Sequence, residues 1–121
     1  MRTLEHSISS AATISLASSL EEAATIFARM DLPYACVTSD GTIVGLVSSR
    51  SIRAALEWAD GGTNIACVMA KNPPSLSVFD SVIDAALRLL EERLPALPVL
   101  RDGELLGVFT AQDCARAARA A

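Results

Sequence analysis

The chain has 121 residues, 51% of them hydrophobic but only 4% aromatic, and a formal net charge of −4. That length suits one compact α/β or α-rich domain whose core is shared by the whole chain. The composition excludes a disordered chain, no apolar run approaches the roughly 20 residues that span a bilayer, and the scattered arginines leave no basic footprint for nucleic acid.

The first ten residues, MRTLEHSISS, carry no apolar stretch behind Arg2. No secretory signal is expected, and the location is read as cytoplasmic. Cys36, Cys67 and Cys114 are odd in number and widely spaced, and are read as reduced, mostly buried small hydrophobes. His6, the single histidine, lies near a terminus expected to be mobile. Zinc coordination and Cys/His catalysis therefore lack their parts, and neither a phosphate-binding G-x-x-x-x-G-K-[ST] loop nor a G-x-S-x-G elbow occurs. The chain is read as non-catalytic, with no metal and no required cofactor.

In chain order, a strand at Thr13–Leu16 leads to a helix opened by Ser19 with Glu22, a capping box. Leu20, Ala23, Ala24 and Phe27 recur at the helical period and form its apolar face; Pro33 helps to stop it. Strands Tyr34–Thr38 and Thr42–Val47 flank Asp40-Gly41, a strong hairpin signal. A helix near Ser51–Trp58 and a hinge-like loop over 59–64 follow, then a short helix over Ile65–Ala70 ended by Asn72-Pro73-Pro74.

The order then repeats: strand Ser75–Val78, a helix capped by Asp80 or Ser81 with Asp84, and an apolar face of Val82, Ala86, Leu89 and Leu90, with Pro95 near its end. Strands Leu97–Arg101 and Glu104–Phe109 turn at Asp102-Gly103, and a last helix covers Asp113–Ala120. Arg116 and Arg119 are placed near its end, complementing its dipole. Met30 and Met69 are expected in the core, Tyr34 partly buried, and Trp58 at a packing or dimer contact.

A shift of 62 positions lays Ile14–Leu56 on Leu76–Ala118 without a gap, matching Pro33/Pro95, Asp40/Asp102, Gly41/Gly103 and Gly45/Gly107 among others. A repeat in so short a chain means that each unit has an apolar face it cannot cover alone. The expected fold is α/β (α+β): two pseudo-symmetric β-α-β-β-α units, residues 1–62 and 63–121, packed sheet to sheet with a cleft between them.

The second half reads V-M-A-K-N-P at Val68–Pro73, L-P-A-L-P-V-L at Leu94–Leu100 and D-G-E-L-L-G-V-F-T-A-Q-D at Asp102–Asp113. Together with the diverged first half, this pattern resembles a tandem pair of CBS (cystathionine β-synthase) domains, a Bateman module. The resemblance implies a regulatory sensor that binds AMP, ADP, ATP or S-adenosylmethionine between its units. It also implies a homodimer stacked through its helices, and output through self-association or a separate effector protein.

The family element Gly-h-x-Thr/Ser-x-x-Asp, where h is apolar, falls on Gly107–Asp113. By resemblance Thr110 meets phosphate and Asp113 meets ribose, with Gln112 in the same turn. Thr13, Ile14, Leu32, Pro33 and Tyr34 complete that cleft. A threonine at a helix start suits phosphate, and a carboxylate with two acceptor oxygens suits a diol. A second cleft would draw on Ser48, Arg50, Ser51, Lys71, Leu94, Pro95 and Ala96. There Ser51 replaces the acid, so weak, altered or absent binding is expected. The competing reading is a ligand-free dimerisation or docking module.

Overall fold

The computed structural model describes residues 2–120. The two β-α-β-β-α runs are present: β1 (Ala12–Ser15), α1 (Leu20–Met30), β2 (Tyr34–Ser39), β3 (Thr42–Ser48) and α2 (Ser49–Leu56), then β5 (Leu76–Ser77), α3 (Val82–Glu92), β6 (Ala96–Arg101), β7 (Glu104–Thr110) and α4 (Ala111–Ala120). A two-residue strand, β4 (Ala70–Lys71), stands between them. Two sheets result, ordered β1-β2-β3-β4 and β5-β6-β7. β1 runs parallel to β2 and β5 to β6, while both hairpins are antiparallel.

The expected local signals do their work. Ser19 and Glu22 form a reciprocal capping box at α1, and the Ser81 hydroxyl accepts the Asp84 amide at α3. Asp40-Gly41 and Asp102-Gly103 all have positive φ, which the tight two-residue hairpin turn requires. Even the hairpin irregularity repeats, at Val37/Thr38 and again at Val99/Leu100.

The compact units are not the sequence halves. One comprises Ala11–Pro73; the other joins Met1–Ser10 to Pro74–Ala121. Each therefore combines the body of one repeat with the segment that leads into the other. In the second-repeat unit, Thr3 bridges Ser81, Ser9 bridges Val108, and the Val82 amide donates to the Arg2 carbonyl. In the first-repeat unit, Asn64 bridges Ser19, Ala70 pairs with Leu46, and the Leu20 amide donates to the Thr63 carbonyl. Each leader has a short 3-10 turn, Leu4–His6 or Ile65–Cys67, whose first residue is fully buried. Burial of one such side chain is worth about 1.5–3 kcal/mol. Thr3 thus corresponds to Asn64, a shift of 61 where the bodies shift by 62.

Each unit has its own core. Ile14, Leu20, Phe27, Val37, Val47, Ile52 and Ile65 fill the first-repeat unit. Leu4, Val78, Leu89, Leu97, Val99 and Phe109 fill the second.

Five expectations are corrected. Ile65–Ala70 is a 3-10 turn followed by a strand, because its last residues add an edge to β3. Leu90 is 75% exposed: α3 is apolar on two faces, and Ala85 with Leu89 takes the core side. Met30 is exposed at the end of α1. Cys67 is exposed, since the 3-10 turn sends Ile65 inward in its place. His6 lies in the 3-10 turn anchored by Leu4.

The cysteines now differ in chemistry. Burial in β2 pushes the Cys36 thiol up from 9.0 to about 11. Because the folded state holds this proton more tightly, its stabilisation is intact below pH 9.0 and lost as pH rises toward about 11. A maleimide reagent at neutral pH should therefore label Cys67 at once and Cys36 only on unfolding, as read by mass spectrometry of the modified peptides.

Candidate ligand site

Strand β7 ends at Thr110, and α4 begins at once, so the threonine side chain sits over the free amides of the first turn. Its Oγ1 accepts the Asp113 amide at 3.0 Å. Asp113 answers: its Oδ2 accepts the Thr110 amide at 3.0 Å and the Thr110 hydroxyl at 2.9 Å. Ser9, from the leading segment, donates its hydroxyl to Oδ1 at 2.7 Å and Oδ2 at 3.0 Å. Arg116, one turn on, closes an ion pair with Oδ1.

Asp113 is only 4% exposed. A carboxylate there needs several donors to offset its lost hydration, and it has them. Two hydroxyls, an amide and a guanidinium converge on it, so both oxygens are already occupied by protein groups. A diol reaching Asp113 would take over the bonds made by Ser9. Gln112 is exposed in the same turn.

Sequence reasoning missed Ser9 and placed Arg116 at the helix end as a dipole partner. Arg116 instead stands mid-helix, at the i,i+3 spacing that brings it onto Asp113. The one-residue slip between the leaders hides Ser9 from the 62-residue comparison. Its structural counterpart is Ala70, which pairs with Leu46 as Ser9 does with Val108.

The corresponding turn in the first-repeat unit lacks a carboxylate. Ser48 caps α2 by accepting the Ser51 amide at 3.0 Å, and the two hydroxyls meet at 2.9 Å. Arg50 and Ser51 are exposed there, and Lys71 is exposed on β4 opposite Gly45. Ser48, Arg50, Ser51 and Lys71 therefore share one unit. Leu94, Pro95 and Ala96 belong to the other, where the Pro95 carbonyl accepts the Ala111 amide at 3.0 Å and Ala96 is buried.

The remaining expected residues lie in the first-repeat unit. Thr13 is exposed on β1, while Ile14 is 1% exposed and belongs to the core. Pro33 is exposed, and its carbonyl accepts the Ser49 amide. Tyr34 is half-buried opposite Ser48. Leu32 lines a groove of about 330 Å³ with Phe27, Ile52, Asp31 and Arg53.

A cavity of about 440 Å³ lies in the second-repeat unit between the leading segment and α4, with Arg2, His6, Ser7, Ser9, Asp113 and Arg116 on its walls. Among the described residues, no cluster of His, Cys, Asp and Glu has the makings of a metal site, and no helix is long and apolar enough to cross a membrane.

The CBS domain family model matches residues 6–57 and again residues 65–120. The fold matches that of the CBS domain pair of protein MJ0100, solved with 5′-methylthioadenosine and S-adenosylmethionine: 21% identity over 99% of this chain and 98% of that one, TM-score 0.83. An uncharacterized conserved protein from Pyrococcus horikoshii gives 19% identity, 98% and 92% coverage, and a TM-score of 0.80. CBSX2, solved in complex with AMP, gives 23% identity, 99% and 98% coverage, and a TM-score of 0.76. No curated protein matches in sequence.

Proposed function

This chain belongs to the CBS-domain family, and we propose that it is a non-catalytic regulatory module, cytoplasmic and dimeric, that senses an adenosine-containing ligand. The observation that carries the reading is the Thr110–Asp113 turn. A buried, geometrically fixed carboxylate beside a helix-start hydroxyl stands where the family element predicts it. Similar folds solved with AMP and with S-adenosylmethionine support the ligand class. Thr110, Asp113 and Gln112, all in the second-repeat unit, are its proposed contacts.

The test is a thermal-shift panel of AMP, ADP, ATP and S-adenosylmethionine on wild type and on Asp113→Asn, which keeps the shape of the cap. A ligand at about a hundred times its Kd adds about 2.7 kcal/mol, roughly 10 °C for a domain of this size. Wild type should respond to at least one ligand, and Asp113→Asn should respond far less. Indifference of wild type to all four would defeat the reading.

A second reading, a dimerisation or docking module without ligand, is favoured by a separate observation. Ile83, Leu87 and Leu90 are 73%, 52% and 75% exposed along one face of α3. Their spacing makes a continuous apolar stripe, where α1 of the other repeat carries Glu21, Thr25 and Ala28. This stripe is also the proposed dimer contact. Leu87→Lys with Leu90→Lys should leave the secondary structure unchanged by circular dichroism and convert the proposed dimer to a monomer by light scattering, with a lower and no longer concentration-dependent melting temperature. A double variant that stays dimeric would remove α3 from the interface.

A further inference from the structure

We propose that two copies of this chain pair α3 against α3, antiparallel, across a two-fold axis that passes beside Leu87. This pairing rests on the dimer reading above and assigns its contact and direction; it needs no ligand.

Ile83, Leu87 and Leu90 follow one another at the helical spacing and are exposed, so α3 presents a straight apolar stripe about two turns long. One flank of the stripe is charged. Asp84, Arg88 and Glu91, with Asp80 just before the helix, line a hollow of about 300 Å³ together with Leu76 and Leu87. Three carboxylates and one guanidinium leave that hollow with a formal charge of −2. The other flank, at Val82 and Ala86, carries no charge.

A two-fold contact sets one surface against itself, so the charges decide its direction. Parallel helices would lay the charged flank of each copy on the uncharged flank of the other, and the carboxylates would lose hydration without gaining partners. Antiparallel helices bring charged flank to charged flank in reversed order. The stripe then matches itself: Ile83 faces Leu90 of the partner subunit, and Leu87 meets the partner's Leu87 near the axis. The same register sets Arg88 beside the partner's Asp84, and symmetry repeats the pair. Each acidic hollow thus receives a guanidinium from the other copy. Arg88 is free to make this contact, because its ion pair within the chain, with Glu92 at 3.6 Å, is exposed and weak.

The repeat explains why like pairs with like. By the 62-residue shift, Ile83, Leu87 and Leu90 correspond to Glu21, Thr25 and Ala28 of α1, Asp84 to Glu22, and Arg88 to Ile26. Glu22 is already engaged with Ser19 in the capping box. α1 therefore offers neither the stripe nor a cation at the matching place, and the helix that fits α3 is a second α3.

The experiment is sedimentation equilibrium on wild type, Asp84→Arg, Arg88→Asp and an equal mixture of the two variants. Either variant alone opposes like charges at both symmetric contacts and should dimerise about tenfold more weakly than wild type, or worse. In the mixture every reversed charge faces its opposite. The two variants should then form a one-to-one heterodimer of near wild-type affinity, identified by native mass spectrometry. Cysteine cross-linking in a Cys67→Ser chain gives a second readout that reverses no charge. Under a mild oxidant Leu87→Cys should link to itself, whereas Ile83→Cys should link to Leu90→Cys and not to itself. Variants that dimerise as wild type does, a mixture with no preference for the heterodimer, or self-linking of Ile83→Cys overturns this pairing while the dimer reading stands. A wild type that stays monomeric at millimolar concentration overturns both.

Discussion

Asp113→Ala is expected to lower the stability of the second-repeat unit by about 2–3 kcal/mol, a large loss for a single helix-capping residue. The return bond of the capping box, from the Thr110 amide to Oδ2, accounts for about 1 kcal/mol. The rest follows from other partners left behind in a buried place: the Thr110 hydroxyl loses Oδ2, and the Ser9 hydroxyl loses both of its acceptors. Urea unfolding gives the magnitude, and amide exchange gives the location, since Ser9 should lose protection before the β6–β7 hairpin does. Ser51→Ala is the comparison. It removes one exposed hydroxyl contact from the equivalent turn and should change stability by no more than about 0.5 kcal/mol. Equal effects at the two positions would mean that the Asp113 network is no stronger than the neutral serine pair.

Gly107→Val should cost more, about 3 kcal/mol or above. A Cβ at Gly107 would run into the Ser9 carbonyl oxygen. That oxygen cannot swing away, because it accepts the Val108 amide at 2.9 Å while the Ser9 amide donates back to Val108 at the same distance. Relief requires breaking this paired bridge, which also pulls Leu4 out of the core. At Gly45 the nearest obstacle is the Met69 sulfur, on a flexible side chain, and the nearest backbone atom is the Ala70 carbonyl oxygen at 3.2 Å. Gly45→Ala should therefore cost only about 1 kcal/mol. Chemical denaturation of the two variants reads the difference, and a Gly107→Val protein as stable as wild type would mean that the leading segment contributes little.

Much of this architecture is legible in the amino-acid sequence. The Asp-Gly turns, the capping serines and the gapless 62-residue match between the bodies are local signals, and local signals survive into the fold. What was not legible depended on pairings distant in sequence. Nothing near Ser9 indicates that it meets Asp113, because that bond links positions 9 and 113. Leu90 was misassigned because α3 is apolar on two sides, and periodicity alone does not tell which side meets a core. The motif singles out Thr110 and Asp113, and the structure shows them hydrogen-bonded to each other. Arg2, His6 and Ser9 were passed over because the N-terminal segment carries neither strand alternation nor helical period.

The crossing of the two leaders bears on how the gene tolerates being cut. Splitting it at the Gly61-Gly62 link would give two fragments, each deprived of the strap that seals its own interior: one would carry Leu4 without its pocket, the other Ile65 without its own. Expressed singly, such fragments should be insoluble or self-associating; co-expressed, they should rescue one another. A circular permutant opened between Ser10 and Ala11 would instead keep the Ala11–Pro73 body and its strap on one continuous stretch.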